Sequence, residues 1–245
     1  MGQHLKPWPL TTDPMDLLAV DTATERCSVA ARVGGRWFER SVDTQRGHAD
    51  IVLSMVDDIL REAGVRLQDL AGIAYGRGPG AFTGVRIAIG VVQGLAFGAN
   101  LPTVGISNLA AVAYQAIGAG VIDAEGGACR RVLVCMDARM NEVYWARYEQ
   151  VQADAALRLT SAETVSPPKD IDVEADSIDV VIGTGLTAYP ALAERFASVR
   201  RIVALPRARD IVSLAEHEFR AGRVGAAFDA QPVYLRDQVT SVKPG

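Results

Sequence analysis

At 245 residues the chain has room for one large domain or two of ordinary size. Its 25 basic and 29 acidic residues give a net charge of -4, which excludes a protein that grips nucleic acid by itself through a dominant basic surface. Hydrophobic residues make up 49% and aromatics only 6%, so the core must be mostly Ala, Val, Leu and Ile.

Residues 1–14 are polar and carry three prolines. They read as a disordered extension, or as sequence ahead of a native start at Met15. Removing residues 2–14 is expected to leave the melting temperature unchanged. Leu17–Asp21 is a short apolar run ending in an acid, and reads as a buried strand. A polar turn leads to a second strand, Cys27–Val33, and Gly34-Gly35 is a two-residue hairpin signal before a third, Arg36–Val42. Ile51, Val52, Met55, Val56, Ile59 and Leu60 recur with a helical period through Ala49–Ala63, and Gly64 closes that helix. Gly72–Tyr75 is a strand that enters the glycine-dense loop Gly76–Gly84, followed by a helix over Val85–Ala99. The order is β-β-β-α-β-α. From Ile87 to Ile122 there is no charged residue. Asn100-Leu101-Pro102 interrupts that run, and the helical part before it holds about 13 residues against the ~20 needed to span a bilayer. A buried helix, strand and helix is the reading, with no membrane segment.

A shorter copy of the same unit follows. Arg131–Asp137 again runs into an acid, Ala138–Asn141 is a polar turn, and Glu142–Tyr148 is a returning strand. Asp179–Ile182 then meets Gly183-Thr184-Gly185, ahead of a helix near Tyr189–Phe196. Two copies of a mixed-sheet α/β unit imply two similar lobes facing each other across a cleft. Gln150 to Asp179 is polar, contains Pro167-Pro168, and reads as loop-rich surface. Ile211–Ala221 is a predicted helix and 232–236 a final extended segment.

Several chemistries can be weighed on residue types. Cys27, Cys129 and Cys135 form no C-x-x-C and no framework, which fits a reduced, cytosolic protein. His4, His48 and His217 are far apart and make no H-E-x-x-H or H-x-x-x-H. Gly84 is followed by Val85-Arg86, so the loop is not a Walker A loop. GRGPGA fits the loose dinucleotide pattern, but no acid lies about 20 residues on to hold a ribose. The backbone amides at this helix start could hold an anion, or the glycines could serve only a tight turn. Asp21 either faces the cleft and holds a metal-bound phosphate through water or caps its own turn. Asp137 is its counterpart, and the cap is the favoured reading there. Gly90, Gly94 and Gly98 form one smooth stripe that costs about 3 kcal/mol in helix propensity. Close packing must offset that cost, either on the chain's own sheet or on a partner's helix.

LLAVDTATERCSVAA, RGHADIVLSMVDDIL, AYGRGPGAFTGVRIAIGVVQGLAFGANLPTVGISNL, MDARMNEVYWARY, VIGTGLTAYP and PVYLR together resemble the TsaB (YeaZ) family of TsaD-related bacterial proteins. The resemblance runs from Met15 to Arg236 and is weakest between Gln150 and Asp179. It implies an actin-like, Hsp70-like (ASKHA) fold of two RNase H-like lobes, each on a mixed β-sheet, at 15–108 and 109–245, with the final segment able to return to the first lobe. It implies a non-catalytic role in forming threonylcarbamoyladenosine next to the anticodon of ANN-decoding tRNAs. The implied partners are TsaD directly, TsaE, and tRNA through the complex, with a homodimer when TsaD is absent. No cofactor is expected to bind this chain tightly, ATP or ADP and Mg belonging to the assembled complex. TsaD-like proteins carry an H-x-x-x-H metal pair after the strand that follows the uncharged helix. Asn108 and Val112 fall at about those positions here.

By the same resemblance the first-lobe helices form the partner surface, through Ile51, Met55, Ile59, Val85, Ile89, Gly90, Gly94, Phe97 and Gly98. Asp21, Gly78, Gly80, Thr83 and Gly84 would be a vestigial phosphate cleft. The rival reading is an ATP-binding phosphotransferase or ATPase using that cleft, and a metal-dependent peptidase is the least supported. The Arg195–Arg209 cluster is a candidate tRNA contact, against a solvated surface.

Overall fold

The computed structural model describes residues 14–44, 46–118, 130–150 and 157–236, so the expected extension lies outside the described residues except for Pro14. Strand β1 (Leu17–Asp21) is buried at every position, as an unbroken apolar run requires when both faces of a sheet are covered. β2 (Arg26–Val33) returns antiparallel to it and pairs with β3 (Arg36–Asp43). Gly34 and Gly35 join that hairpin at φ 54° and 76°, the left-handed pair whose twist matches the strands. α1 (His48–Ala63) follows, ending at Gly64. β4 (Gly72–Gly76) and β5 (Thr103–Ile106) then lie parallel beside β1, joined by the crossover helix α2 (Phe82–Ala99). The first sheet has the order β3-β2-β1-β4-β5.

α3 (Asn108–Gly118) leads to the second sheet, made of β6 (Arg130–Asp137), β7 (Val143–Gln150), β8 (Leu157–Leu159), β9 (Thr164–Ser166), β10 (Val180–Ile182) and β11 (Arg200–Ile202). Its order is β8-β7-β6-β10-β11, with β9 also on β7. With β9 set aside, each sheet therefore runs third, second, first, fourth, fifth strand of its own half. The duplication is one of topology, and two RNase H-like lobes are the result. α4 (Gly185–Ala188) and α5 (Pro190–Arg195) replace the single helix expected near Tyr189–Phe196, with Tyr189 at the break.

Where the first half has α1, the second has only short 3-10 turns at Pro168–Asp170 and Ala175–Ser177. Ile171, Val173 and Ile178 are buried there with Leu133 and Phe196. The stretch expected to be loop-rich surface thus supplies part of a core. Isolated apolar residues in polar sequence leave no period to read.

Each half also sends its last helix across. α3 packs on β6, β7 and β10 of the second sheet. α6 (Ala208–Arg220) packs on β1, β2, β4 and β5 of the first, with Ile211, Ala215 and Phe219 against Leu17, Ala19 and Ala74. Burial of Ile211 and Phe219 contributes about 1.5–3 kcal/mol each. The return to the first lobe therefore begins at Ala208, well ahead of the final segment. Residues 225–236 continue along the first lobe without forming a strand. Gly225 bridges Thr103, Ala230 O accepts from the Gln93 side chain, and Val233 N–H bonds Arg77 O at 2.8 Å.

α2 runs 18 residues, three more than expected, and is long and apolar enough to cross a membrane. Its inner side, Val85, Ala88, Ile89, Val92 and Ala96, is instead buried in the core of the first lobe.

Candidate functional site

The glycine loop between β4 and α2 presses on the turn after β1. Ala81 N–H donates to Ala23 O at 2.7 Å and Thr22 Oγ1 to Gly84 O at 2.6 Å. A Cβ on Gly84 would overlap the Thr22 carbonyl oxygen, and one on Gly80 would stand 2.5 Å from Ala23 O. The loop is glycine-rich because two backbones of the same chain touch there; the positive φ expected of a tight turn occurs at Gly78 alone, at 98°. A cleft of about 1840 Å³ opens between the lobes, walled by Thr22, Gly80, Thr83 and Gly84 on one side and Asp137 and Thr184 on the other.

Asp21 and Gly78 are not in that wall. Asp21 is fully buried. Its Oδ1 accepts from Asn108 Nδ2 at 2.7 Å, while Asn108 Oδ1 accepts from Gly78 N–H at 2.8 Å. Asn108 N–H returns a bond to Gly78 O at 3.0 Å. Asn108 therefore ties β1, the glycine loop and the start of α3 into one buried knot. Burial pushes the Asp21 carboxyl up to about 6, against the Asn108 and Ala23 hydrogen bonds that lower it. Its Oδ2 has no hydrogen-bond partner. The expectation that Asp21 faces a phosphate cleft is corrected: the strand is covered on both faces, so its terminal side chain turns inward.

Asp137 does cap its turn, accepting from Arg139 N–H at 2.9 Å and from the Tyr189 hydroxyl at 2.9 Å. Arg139, Met140 and Asn141 then stand at φ 60°, 56° and 59°, three consecutive left-handed residues without a glycine. Such residues cost about 1–2 kcal/mol each. Opposing that cost, Ala138 N–H bonds Glu142 O at 2.9 Å and the Tyr189 hydroxyl bonds the same oxygen at 3.0 Å. Arg236 donates to Ala138 O at 3.2 Å and pairs with the Glu142 carboxylate. Burial, then Asp137, pushes the Tyr189 phenol up to about 12. Sequence reasoning placed a turn here but missed its handedness, for which Asn141 is the only compositional sign.

The outer side of α2 is open. A Cβ on Gly90, Gly94 or Gly98 would meet nothing within 4 Å among the described residues, so the stripe does not pack on the chain's own sheet. Phe97 beside it is 56% exposed and Ile51 on α1 is half-buried. Met55, Ile59, Val85 and Ile89 are corrected: they lie inside the first core and present no surface to a second chain. A helical period identifies two opposite faces, and these four sit on the inner one. The outer face has aromatic ends that the sequence did not disclose. Phe228 stands 5.3 Å from Phe97 between ring centroids, and Tyr234 stands 6.0 Å from Phe82.

Other candidates are accounted for by the fold. Burial pushes the Cys27 thiol up to about 11 and the Cys135 thiol further, so neither is a reactive thiolate. Val112 is fully buried in the second core. No group of three or more His, Cys, Asp or Glu that could hold a metal occurs among the described residues. Within the Arg195–Arg209 cluster, Arg195 and Arg201 donate to the Val173 and Ala193 carbonyls at 2.9 Å, and Arg207 and Arg209 pair with Asp210 and Glu39.

The family model for TsaD, tRNA N6-adenosine threonylcarbamoyltransferase, matches residues 41–242. The tRNA threonylcarbamoyladenosine biosynthesis protein TsaB of Escherichia coli K12 is 41% identical over 242 residues, covering 94% of this chain and 99% of that one. The chain belongs to the TsaB family. The TsaB of Haemophilus influenzae is 38% identical and covers 94% of this chain and 98% of its own. Among solved structures, YeaZ from Pseudomonas aeruginosa is 42% identical with a TM-score of 0.78, covering 90% of this chain and all of that one. A second Pseudomonas aeruginosa structure, described as similar to peptidase YeaZ, is 44% identical with a TM-score of 0.79 over 91% of this chain. As a TsaB-family chain it spans nearly the whole length of these relatives. The TsaD family model reaches into both its lobes from residue 41 on, although residues 108 and 112 are Asn and Val.

Proposed function

We propose that this chain is the non-catalytic TsaB subunit of threonylcarbamoyladenosine formation on ANN-decoding tRNAs, acting in the cytoplasm by docking TsaD on the outer face of α2. The observation that carries the reading is that face: three glycines cost about 3 kcal/mol in helix propensity, and none of the described residues closes over them. A partner helix laid against the stripe would recover that cost by close packing, with Phe97 and Ile51 beside it. The same face would serve a second copy of the chain when TsaD is absent. TsaE and tRNA would then join through the assembled complex, and ATP or ADP with Mg would belong to that complex.

The buried knot supports the non-catalytic assignment. At the positions where the resemblance puts the TsaD-like metal pair, Asn108 spends its amide on Asp21 and Gly78, and Val112 is core. The cleft phosphotransferase loses its carboxylate, because Asp21 is sealed from the cleft. Reconstitution of tRNA modification from purified TsaD, TsaE, the threonylcarbamoyl-AMP-forming enzyme and tRNA tests the reading. Product should form only when this chain is added, and product of equal yield without it would refute the assignment.

A further inference from the structure

Three stretches distant in sequence meet in one exposed patch that crosses both lobes. The first turn of α2 brings Phe82 and Arg86, residues 225–236 bring Tyr234 and Arg236, and the left-handed turn brings Arg139 and Met140. Phe82 and Tyr234 are 51% and 47% exposed, and their rings stack at an interplanar angle of 26°. The Arg86 guanidinium lies 3.3 Å from the Phe82 ring centroid and 4.8 Å from that of Tyr234. Arg236 reaches from the same segment to Met140 Sδ at 3.5 Å and to Ala138 O at 3.2 Å. These are the GAFTGVR, PVYLR and DARMNEV stretches, whose meeting no proposed docking of α2 requires.

The charge of the patch indicates its occupant. Both its carboxylates among the described residues are already matched, Glu142 by Arg236 and Asp137 by Arg139. Arg86 has no carboxylate partner among the described residues; its one polar bond goes to Phe82 O at 3.2 Å. Arg139 projects into solvent with its side chain 81% exposed. Half-exposed rings beside the uncompensated Arg86 guanidinium, with the described carboxylates already paired, match unpaired bases that stack and phosphates that pair.

We propose that this patch is a stacking platform for single-stranded RNA, the unpaired loop of the tRNA substrate. Phe82 and Tyr234 take bases on their open faces, and Arg86 and Arg139 meet the adjoining phosphates. This inference rests on the tRNA-modification reading and names where this subunit would touch the RNA. A net charge of -4 fits a platform that holds RNA by base stacking rather than gripping it by charge. A protein occupant would leave Arg86 without a counter-charge unless it brought an acid of its own.

The full chain is titrated against a fluorescent anticodon stem–loop RNA and against the same stem as a fully paired duplex, with anisotropy as readout. The hairpin should bind more tightly than the duplex. Phe82→Ala with Tyr234→Ala should weaken hairpin binding by about tenfold or more, and Arg86→Gln should weaken it less while flattening the salt dependence. Circular dichroism and melting temperature should show all variants folded, because both rings stand half in water. Failure of the wild-type chain to bind the hairpin, equal binding of hairpin and duplex, or unchanged affinity in the double variant overturns the proposal. Loss of TsaD binding in the double variant with RNA affinity intact would make the patch a protein contact and also overturn it. None of these outcomes bears on whether the chain is needed for tRNA modification, which the reconstitution decides separately.

Discussion

Replacing Asp21 with Asn should change how stability depends on pH. In the folded protein burial holds this carboxyl at about 6, while in the unfolded chain it returns to its ordinary 3.8. Between those values the unfolded state gives up its proton first, so the native state binds more protons. Stability therefore falls as pH rises through the window from about 4 to about 6, and stays lower above it. The distance between the two values corresponds to about 3 kcal/mol at neutral pH. Of this, about 2.5 kcal/mol should develop between pH 4 and pH 7.5. An asparagine can still accept from Asn108 through its oxygen, but it carries no charge. It places an NH2 where Oδ2 has no partner, a cost that does not vary with pH. The assay is urea unfolding of wild type and Asp21→Asn at pH 4, 5, 6 and 7.5, with the two curves subtracted so that other titrating groups cancel. The difference should move in favour of the variant by about 2–3 kcal/mol from pH 4 to 7.5. A difference that stays flat, or moves the other way, would refute the claim that Asp21 is sealed and charged at the cost of stability.

Gly94→Arg should abolish binding to TsaD in a titration while leaving the melting temperature within a few degrees, because its Cβ enters open space; an unaltered dissociation constant would remove α2 from the interface. Asn108→Ala should destabilise the protein by about 2–4 kcal/mol in denaturant unfolding, since it leaves Gly78 N–H buried and unpaired and strips the buried Asp21 carboxylate of its side-chain donor. Tyr189→Phe should cost about 1–2 kcal/mol by removing the hydroxyl that bonds Asp137 and Glu142 O. Amide exchange at Glu142 should quicken in that variant, and unchanged exchange would show that the left-handed turn is held by its other bonds.

Most element types were legible because their signals are local. The unbroken run Leu17–Asp21 reports a strand covered on both faces, Gly34-Gly35 a tight hairpin, and the repeating apolar set in Ala49–Ala63 a helix with one buried side. The repetition of a strand ending in Asp and a strand ending in a glycine loop showed that the fold is doubled. What failed to show was anything set by a distant neighbour. Ile171, Val173 and Ile178 became core only because the second half lacks a counterpart of α1. Phe228 and Tyr234 became surface companions of Phe97 and Phe82 only because the chain returns along α2. The left-handed turn at 139–141 is held by Tyr189 and Arg236, residues about 50 and 100 positions away.

The sequence by itself determined that a glycine-dense loop enters an uncharged helix with Gly90, Gly94 and Gly98 on one side. It also showed that Asn and Val stand where the resemblance puts a metal pair. Composition and period are properties of the chain, so no tertiary contact was needed to read them. Only the tertiary structure decided which surfaces these features serve. The loop's glycines are used up where two segments of the same chain touch at Thr22 and Ala23. The helix's glycines are left open, because the sheet can cover only one side of a helix and takes the side carrying Val85, Ile89, Val92 and Ala96.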